Sequence, residues 1–535
     1  MTMANVFHFK IKWEETDKNK IDFDVVELDG KEALSQHYEF VINLRSSELL
    51  KNTNPLGRKA SLTIQMENMH DFSVTNQQSV YNGIIIGFSS LVKIKDYYYY
   101  RVILAPKLAK LRYSKKSDVY IGNGLGDILN NVFNEQGFSQ EERKLSFNSS
   151  DKKYQPSSDC YNRYAFICQY EESDYNFINR LMERDGVYYY FKQTESGEQV
   201  VITDRKEDFI SRQESLRFRF LSEQTSAPDP NSIHAFEKKM VSVPKQVTIL
   251  NYGYEKANLG DQGVISCSAF VSADGTEDKS LFGEEVIYGE NFISQENQGD
   301  GQFLATIRAQ ELYSHSQFCY AKSTAVPIHA GMKIKLDDTK YDEYNGEYLV
   351  VEVIHKGQQQ LAGMQNQKDN LRFYENTLVL LPAKIQFRPK RITPLPKIYG
   401  IMNALVDGEQ DSQYPQLDST GRYKVRLPFL KTAKADGKGS IWIRMATPYA
   451  GNGYGLNFPL HKGTEVALSF RNGDPDLPVI MSAVFNSINS NFVVDQNAYL
   501  GGAIISKSGN VFVMDDTQGN CAVGLCANDS WHYYK

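Results

Sequence analysis

Apolar and polar positions alternate along much of the chain, with a period of two before residue 110. Phe7 to Trp13, Ile21 to Leu28, Tyr38 to Leu44, Ala60 to Met66 and Ser79 to Phe88 carry apolar and β-branched residues between Asn, Asp and Gly breaks, which predicts strands. Tyr97 to Leu104 (YYYYRVIL) reads as a further strand with aromatics on both faces, one of them packed on a core. A helical period then takes over. Leu125, Ile128, Leu129, Val132 and Phe133 form one stripe that Gly137 closes. A second helix is predicted from Asp174 to Arg184, capped by Ser173, with Phe177, Ile178, Leu181 and Met182 inward and Gly186 as its stop. Val187 to Phe191 follows as a strand, and Gln302 to Tyr313 as a third helix. Strands return at Val247 to Tyr254, Lys333 to Leu336, Tyr348 to His355 and Leu371 to Leu380, with a polar, Gln-rich loop over Gly357 to Asp369.

Pro389, Pro394 and Pro396 then punctuate the chain, and a domain boundary belongs there because proline blocks sheet continuation and stiffens a connector. Beyond this hinge five short strands are predicted: Lys397–Val406, Arg422–Phe429, Ser440–Met445, Glu465–Phe470 and Val479–Asn486. Strands of this length between Gly- and Pro-rich turns suit a small OB-type barrel. From Ser487 the chain is a series of short alternating pieces, which must stack on themselves or on other chains to bury an apolar face.

Composition narrows the function classes. Length alone allows about three or four domains in 535 residues. With 59 Lys plus Arg against 65 Asp plus Glu, the net charge of −6 does not suit a protein that wraps nucleic acid. The start (MTMANVFHFKIKWEETDKNK) shows no secretory signal, and no apolar run approaches the ~20 residues of a membrane helix. Cys160, Cys168, Cys267, Cys319, Cys521 and Cys526 are too sparse for a disulfide scaffold and read as reduced, partly buried thiols. GNGLGD and GNGYGL fail the dinucleotide pattern at Asp127 and Leu456. No metalloprotease, hydrolase-elbow or zinc motif is present. The neighbouring carboxylates Glu171/Glu172 and Asp515/Asp516 should point apart and read as solvated surface charge. No catalytic residue and no cofactor is assigned.

Two stretches carry more. RYAFICQYEESDYNFINRLMERDGVYYYF, Arg163 to Phe191, and the barrel segment from Ile441 to Asn486 resemble the VgrG family, the trimeric spike of the bacterial type VI secretion system, itself similar to a phage tail hub and spike fused in one chain. The family's barrel motif falls on Trp442, Arg444, Ala450, Gly451, Gly453, Gly455, Pro459, Gly463, Glu465, Val466, Phe470, Gly473, Asp474, Pro475, Asp476 and Pro478. These are turn and core residues, which explain folding rather than catalysis. Tyr449 and Tyr454 stand where the family often has Trp, and Leu460-His461 replaces the usual Arg after Pro459.

The resemblance implies a mainly β fold with inserted helices (α+β). Residues 1–390 would form a hub-like region of two related β-barrels, 391–397 a Pro-rich hinge, 398–486 an OB-fold and 487–535 the start of a trimeric β-prism needle. It implies a homotrimer, non-enzymatic, partnered by a tail-tube (Hcp-like) protein, baseplate proteins, a PAAR-repeat tip protein and effectors. Nucleic acid is not among these partners, and the target membrane is met only mechanically. The chain would assemble in the bacterial cytoplasm and leave through the type VI apparatus. The spike of a phage tail or extracellular injection particle, and a peptidoglycan-cleaving spike enzyme, are the alternatives; a carbohydrate-binding β-protein is a more distant one. Three copies of His532 near an axis invite a metal, but Trp531 and Tyr533 break the His-x-His element some phage spikes use, and no metal is assigned.

Overall fold

In the computed structural model, residues 6–13, 23–50, 54–70, 73–146, 166–194, 197–218, 232–254, 263–292, 300–338, 340–359, 373–409, 414–430, 436–492, 501–519, 521–527 and 530–534 are described. Cys160, the start of the Arg163–Phe191 stretch and most of the Gly357–Asp369 loop lie outside them. The predicted period-two segments form strands β1 (Val6–Trp13), β2 (Phe23–Ala33), β3 (Gln36–Ser46), β4 (Lys59–His70), β5 (Ser73–Ile94) and β6 (Tyr97–Ala105). Their order is β1-β4-β5-β6-β3-β2, and β2 pairs back onto β1 at Lys10↔Asp24 and Ile11↔Phe23. That pairing closes the ring, so this set has no unpaired edge of its own. Phe9, Tyr38, Phe40, Leu62, Ile64, Tyr81, Tyr100 and Val102 fill its interior. Tyr100 is buried while Arg45 lies 4.1 Å over the Tyr97 ring and Lys93 4.9 Å over Tyr98, so the aromatic run does serve two faces.

β2 also pairs with Gly346–Gln358, which carries the sheet on through Phe373–Pro382, Cys319–Ser323, Ser232–Lys238 and Arg217–Phe218 to a second core around Phe218, Ile334, Val350, Val353 and Leu378. The helices sit beside this sheet. α1 (Leu125–Glu135) buries the five residues of its stripe, and α2 (Asp174–Asp185) packs with it over Tyr120, Ile167, Tyr189 and Ile202. The Ser173 hydroxyl accepts from the Asn176 N–H, and Gly186 ends α2 at φ +70°. A Cβ at Gly186 would lie 2.7 Å from Ile307, so both conformation and space demand glycine there. α3 (Asp300–His315) closes a smaller core with Gln246–Tyr252 and Val264–Phe270.

By contacts the chain divides into two compact units, Met1–Ile398 with Asn472–Asp476, and Tyr399–Arg471 with Leu477–Lys535. In the second, Met402–Asp407, Lys424–Arg426, Glu465–Phe470 and Pro478–Val484 form a four-stranded antiparallel sheet over Val406, Val425, Ile443, Val466, Leu468 and Ile480. The predicted strand Ser440–Met445 is instead joined to its neighbours by single bridges, Tyr423↔Ile443 and Met445↔Ile480. Its polar start replaces a ladder bond with a side-chain one, the Ser440 hydroxyl accepting from the Val425 N–H at 2.8 Å. Gly501–Ile505, Val511–Asp515, Ala522–Ala527 and Ser530–Tyr534 form an antiparallel meander, with Ile504, Ile505, Met514, Val523 and Leu525 exposed.

An ionic cluster lies in the core of the first unit. The Glu32 carboxylate accepts from the Tyr81 hydroxyl at 2.9 Å and lies 3.0 Å from His355 Nε2 and 3.6 Å from His329 Nδ1, while His355 Nδ1 meets the Tyr374 hydroxyl at 2.7 Å. Burial pushes the Glu32 carboxyl up, but hydrogen bonds and positive charge from the two histidines outweigh it and bring it down to about 2. A carboxyl held below its unfolded value stabilises the fold above that value and stops doing so on acidification. The first unit should therefore lose up to about 3 kcal/mol as pH falls from 4.5 towards 2, and Glu32→Gln should remove that share of the acid dependence in thermal melts.

Candidate functional site

The residues singled out by sequence divide between the two units. In the second unit, Val466 is fully buried, Phe470 nearly so, and the Glu465 carboxylate accepts from Asn403 and Asn486, each at 2.7 Å. The Gly463 N–H donates to Val406 O at 2.9 Å. Trp442 has the Lys424 ammonium 5.0 Å over its ring, and Arg444 O accepts from the Ile480 N–H at 2.9 Å. Ala450, Gly451, Gly453 and Gly455 build an exposed hairpin, with the Tyr449 and Tyr454 rings 5.3 Å apart, and Pro459 is exposed beyond it. Pro478 opens the last barrel strand.

Gly473, Asp474, Pro475 and Asp476 do something that their turn chemistry did not announce. They leave the second unit and are buried in the first. Asn472 and Gly473 take left-handed φ of 57° and 70°, and the Asp474 side chain accepts from the Asp476 N–H at 3.0 Å, which sets the loop's shape. Gly473 O accepts from the Ile398 N–H at 2.9 Å, and Asp476 Oδ1 accepts from the Cys168 N–H at 2.6 Å.

Cys168 lies on the strand Phe166–Ser173, and the same strand supplies Glu172. Glu171 and Glu172 do point apart, but Glu172 is not surface charge. The strand carries a register shift against Lys115–Ile121, Glu171 sits at φ 45°, and Glu172 turns inward onto Arg180 of α2. Arg180 Nε donates to both Glu172 oxygens at 3.0 and 3.1 Å, and Nη2 donates to Cys168 O at 2.9 Å. A buried guanidinium is tolerated only with such saturation. Burial raises the Glu172 carboxyl despite Arg180. Burial, then the charge of Asp474, pushes Asp476 up to about 7, against the pull of Arg180, the Cys168 N–H and Arg184. The Cys168 thiol is driven well up by burial and Asp476. A thiol so raised is a weak nucleophile.

The far end of α2 holds a second segment. The Glu183 carboxylate accepts from the Ile392 N–H (3.1 Å), the Thr393 N–H (3.0 Å) and the Thr393 hydroxyl (2.7 Å). Arg391 pairs with Glu290, Arg388 Nε donates to Gln310 at 2.8 Å, and Arg388 Nη1 donates to Gly186 O at 2.9 Å. Arg308 of α3 donates to Glu183 O at 2.7 Å. Burial lifts Glu183, whereas the Arg391 charge holds Glu290 down against burial. One helix thus grips both the strap that precedes the second unit and the loop returned from it. Among the described residues no group of three or more His, Cys, Asp or Glu is placed to hold a metal ion.

Replacing Glu183 by Gln puts an amide N–H₂ against backbone donors. It should cost the first unit about 1–3 kcal/mol in urea unfolding and speed tryptic cleavage after Arg391, with Thr393→Ala costing less.

Comparison with known proteins agrees with this construction. The sequence model for the phage tail baseplate hub (GPD) matches residues 31–361, and that for the type VI secretion system/phage-baseplate injector OB domain matches residues 412–485. The type VI secretion system spike protein VgrG4b of Pseudomonas aeruginosa is 23% identical over 496 residues, covering 90% of this chain and 57% of its own length. The chain thus spans little more than half of that relative. An E. coli type VI secretion component, described as structurally similar to the T4 tail proteins gp27 and gp5, superposes with a TM-score of 0.58 at 19% identity, over 89% of this chain and 99% of that one. A Francisella PdpA–VgrG complex gives 0.62 at 11% identity, over 99% and 78%. No helix among the described residues is long and apolar enough to cross a membrane. With the hub sequence model covering more than half of its length and the injector OB domain following in the same chain, the protein belongs to the phage tail baseplate hub family and is similar to the VgrG spike proteins of type VI secretion.

Proposed function

We propose that this chain is the hub and spike subunit of a contractile type VI secretion apparatus, working as a homotrimer that caps the tail tube and is driven through a target envelope. The observation that carries this reading is the order of a hub domain and an injector OB domain in one chain. Residues 1–390 serve as the hub, 391–397 as the connector, 398–486 as the OB-fold and 487–535 as the base of a β-prism needle. The motif residues from Trp442 to Pro478 act structurally. The exposed Ile504, Ile505, Met514, Val523 and Leu525 support trimerisation through the meander, because apolar side chains on a thin sheet need a second layer. The register sets Ile504 on one face with Met514, Val523 and Leu525, and Val511 and Val513 on the other with Ile505, so the sequence expectation that Val511, Val513 and Ile504 share one core face is corrected: the face of Ile504 is the one proposed to meet the other subunits. The other partners are a tail-tube protein, baseplate proteins, a PAAR-repeat tip protein and effector cargo. Force transmission asks for many cooperatively packed strands and no reaction centre, so the role is non-enzymatic. Assembly takes place in the bacterial cytoplasm, and the spike leaves through the apparatus.

The purified chain should sediment as a trimer of 60.9 kDa subunits and appear in electron micrographs as a three-lobed body with a narrow rod. Val513→Pro removes a ladder donor in the middle of Val511–Asp515 and should give monomers whose first unit stays folded. A stable monomer of the unaltered chain at micromolar concentration would sink the proposal. Clearing of a peptidoglycan zymogram would favour the enzyme instead.

A further inference from the structure

Taken by itself, the second unit leaves much apolar surface uncovered. It is about a quarter of the chain, yet it holds about half of the large apolar side chains exposed among the described residues. Besides the meander, one hairpin collects them: Tyr449 and Tyr454, each 60% exposed, with Leu456 and Phe458 following in sequence. The hairpin is held in shape. Ala450 pairs with Gly455 and Gly451 with Tyr454, while Tyr449 O accepts from the Leu456 N–H and the Thr447 hydroxyl, each at 2.9 Å. Gly453 makes the turn at φ +78°, and the Tyr454 ring lies so close over Gly451 that a Cβ there would collide with it. Two rings 5.3 Å apart thus face solvent with little freedom left to lose, which lowers the cost of binding.

The same unit contains a groove of about 450 Å³ lined by Leu405, Arg426, Leu427, Pro428, Leu430 and Glu465. The register sets Leu405 directly between Arg426 on one neighbouring strand and Glu465 on the other. The Glu465 carboxylate is engaged by Asn403 and Asn486, whereas the Arg426 guanidinium makes no hydrogen bond or ion pair among the described residues. A leucine-lined groove with one unspent guanidinium suits a phenol, whose ring meets the cation and whose hydroxyl accepts from it. Hairpin and groove also belong to different ends of the sheet. The hairpin stem is tied to Pro478–Val484, the Ala446 N–H donating to Ile480 O at 2.7 Å, and the groove centres on Met402–Asp407 and Lys424–Arg426 at the other end of the strand order.

We propose that the hairpin 447–458 of one copy seats its tyrosines in this groove on the next copy, a head-to-tail contact that closes three copies into a ring. The inference rests on the homotrimer reading above and names the contact that reading leaves open. An isologous contact joins two copies and stops there, so a three-fold ring needs two different patches on every copy. A rigid aromatic projection and an apolar groove with a spare guanidinium are such a pair. Tyrosine and arginine are also the side chains that most often carry the energy of an interface.

In the full-length chain, Tyr454→p-benzoylphenylalanine keeps an aromatic ring at an exposed position and on irradiation cross-links to whatever that ring touches. Denaturing gels should then show covalent dimers and trimers, and peptide mass spectrometry should place the links on residues 403–405 or 426–430. Links confined to one copy, or falling elsewhere on a neighbour, in a chain that still sediments as a trimer overturn this contact and leave the homotrimer reading standing. A chain that sediments as a monomer overturns both. Arg426→Ala and Tyr454→Ala give a second measurement in the same chain. Each should raise the concentration at which half of the trimer dissociates by roughly tenfold, and the double variant should go little further, because either change empties the same contact. Effects that multiply to roughly a hundredfold would mean that the two side chains do not meet, and the contact would be overturned.

Discussion

A guanidinium taken out of water has to be given its hydrogen bonds back, and the fold of the first unit is arranged around doing so for Arg180. Its partners come from the strand Phe166–Ser173 immediately before the helix that bears it. The strand–helix unit is therefore closed by a short-range bridge before any distant segment arrives. Removing one member of such a pair strands the other charge in a low-dielectric interior. That asymmetry makes the strand and α2 a rigid platform. The loop Asn472–Asp476 is fastened to this platform through Cys168 and the strap through Glu183.

At the far end of α2 the Glu183 carboxylate collects three donors from the strap, and Arg391 of that strap pairs with Glu290, so hydrogen bonding and charge act together. Burial and the charge of Asp474 raise Asp476, whereas in the Glu32–His329–His355 cluster two imidazoles face one carboxylate and lower it. Two buried carboxyls in one unit are pushed in opposite directions by the sign of what surrounds them.

Much of this architecture was legible in the sequence wherever the signal is local. The cap at Ser173, the stripe Phe177, Ile178, Leu181 and Met182, and the stop at Gly186 fix α2 to within one residue of its observed end at Asp185. The clean alternation of Glu465–Phe470 locates that strand without error. Ser440–Met445 failed because its apolar positions are spent on two isolated bridges, and a pattern cannot distinguish a bridge from a ladder. The hidden part is the ionic site. Cys168 and Asp476 are 308 positions apart, and Glu183 is 209 from Ile392. Glycine, proline and aspartate in Gly473–Asp476 read as a surface turn because turn chemistry and insertion chemistry use the same residues. The one available hint was the pair of aspartates flanking Pro475, more charge than a turn needs.

In the proposed role as hub and spike, the strap would have to combine stiffness with ease of assembly. A joint made only of apolar contact would be non-directional, and it would weaken gradually as surfaces slid. A joint made of buried ion pairs has definite geometry and fails abruptly, since each broken pair exposes an uncompensated charge. Placing these pairs on a single helix, with the strap held by three hydrogen bonds to one carboxylate, concentrates load where the fold is best packed. Phe177, Ile178, Leu181 and Met182 lie under the same helix and are all nearly fully buried. Bending α2 to release the strap would open that core, so the attachment is as strong as the core beneath it.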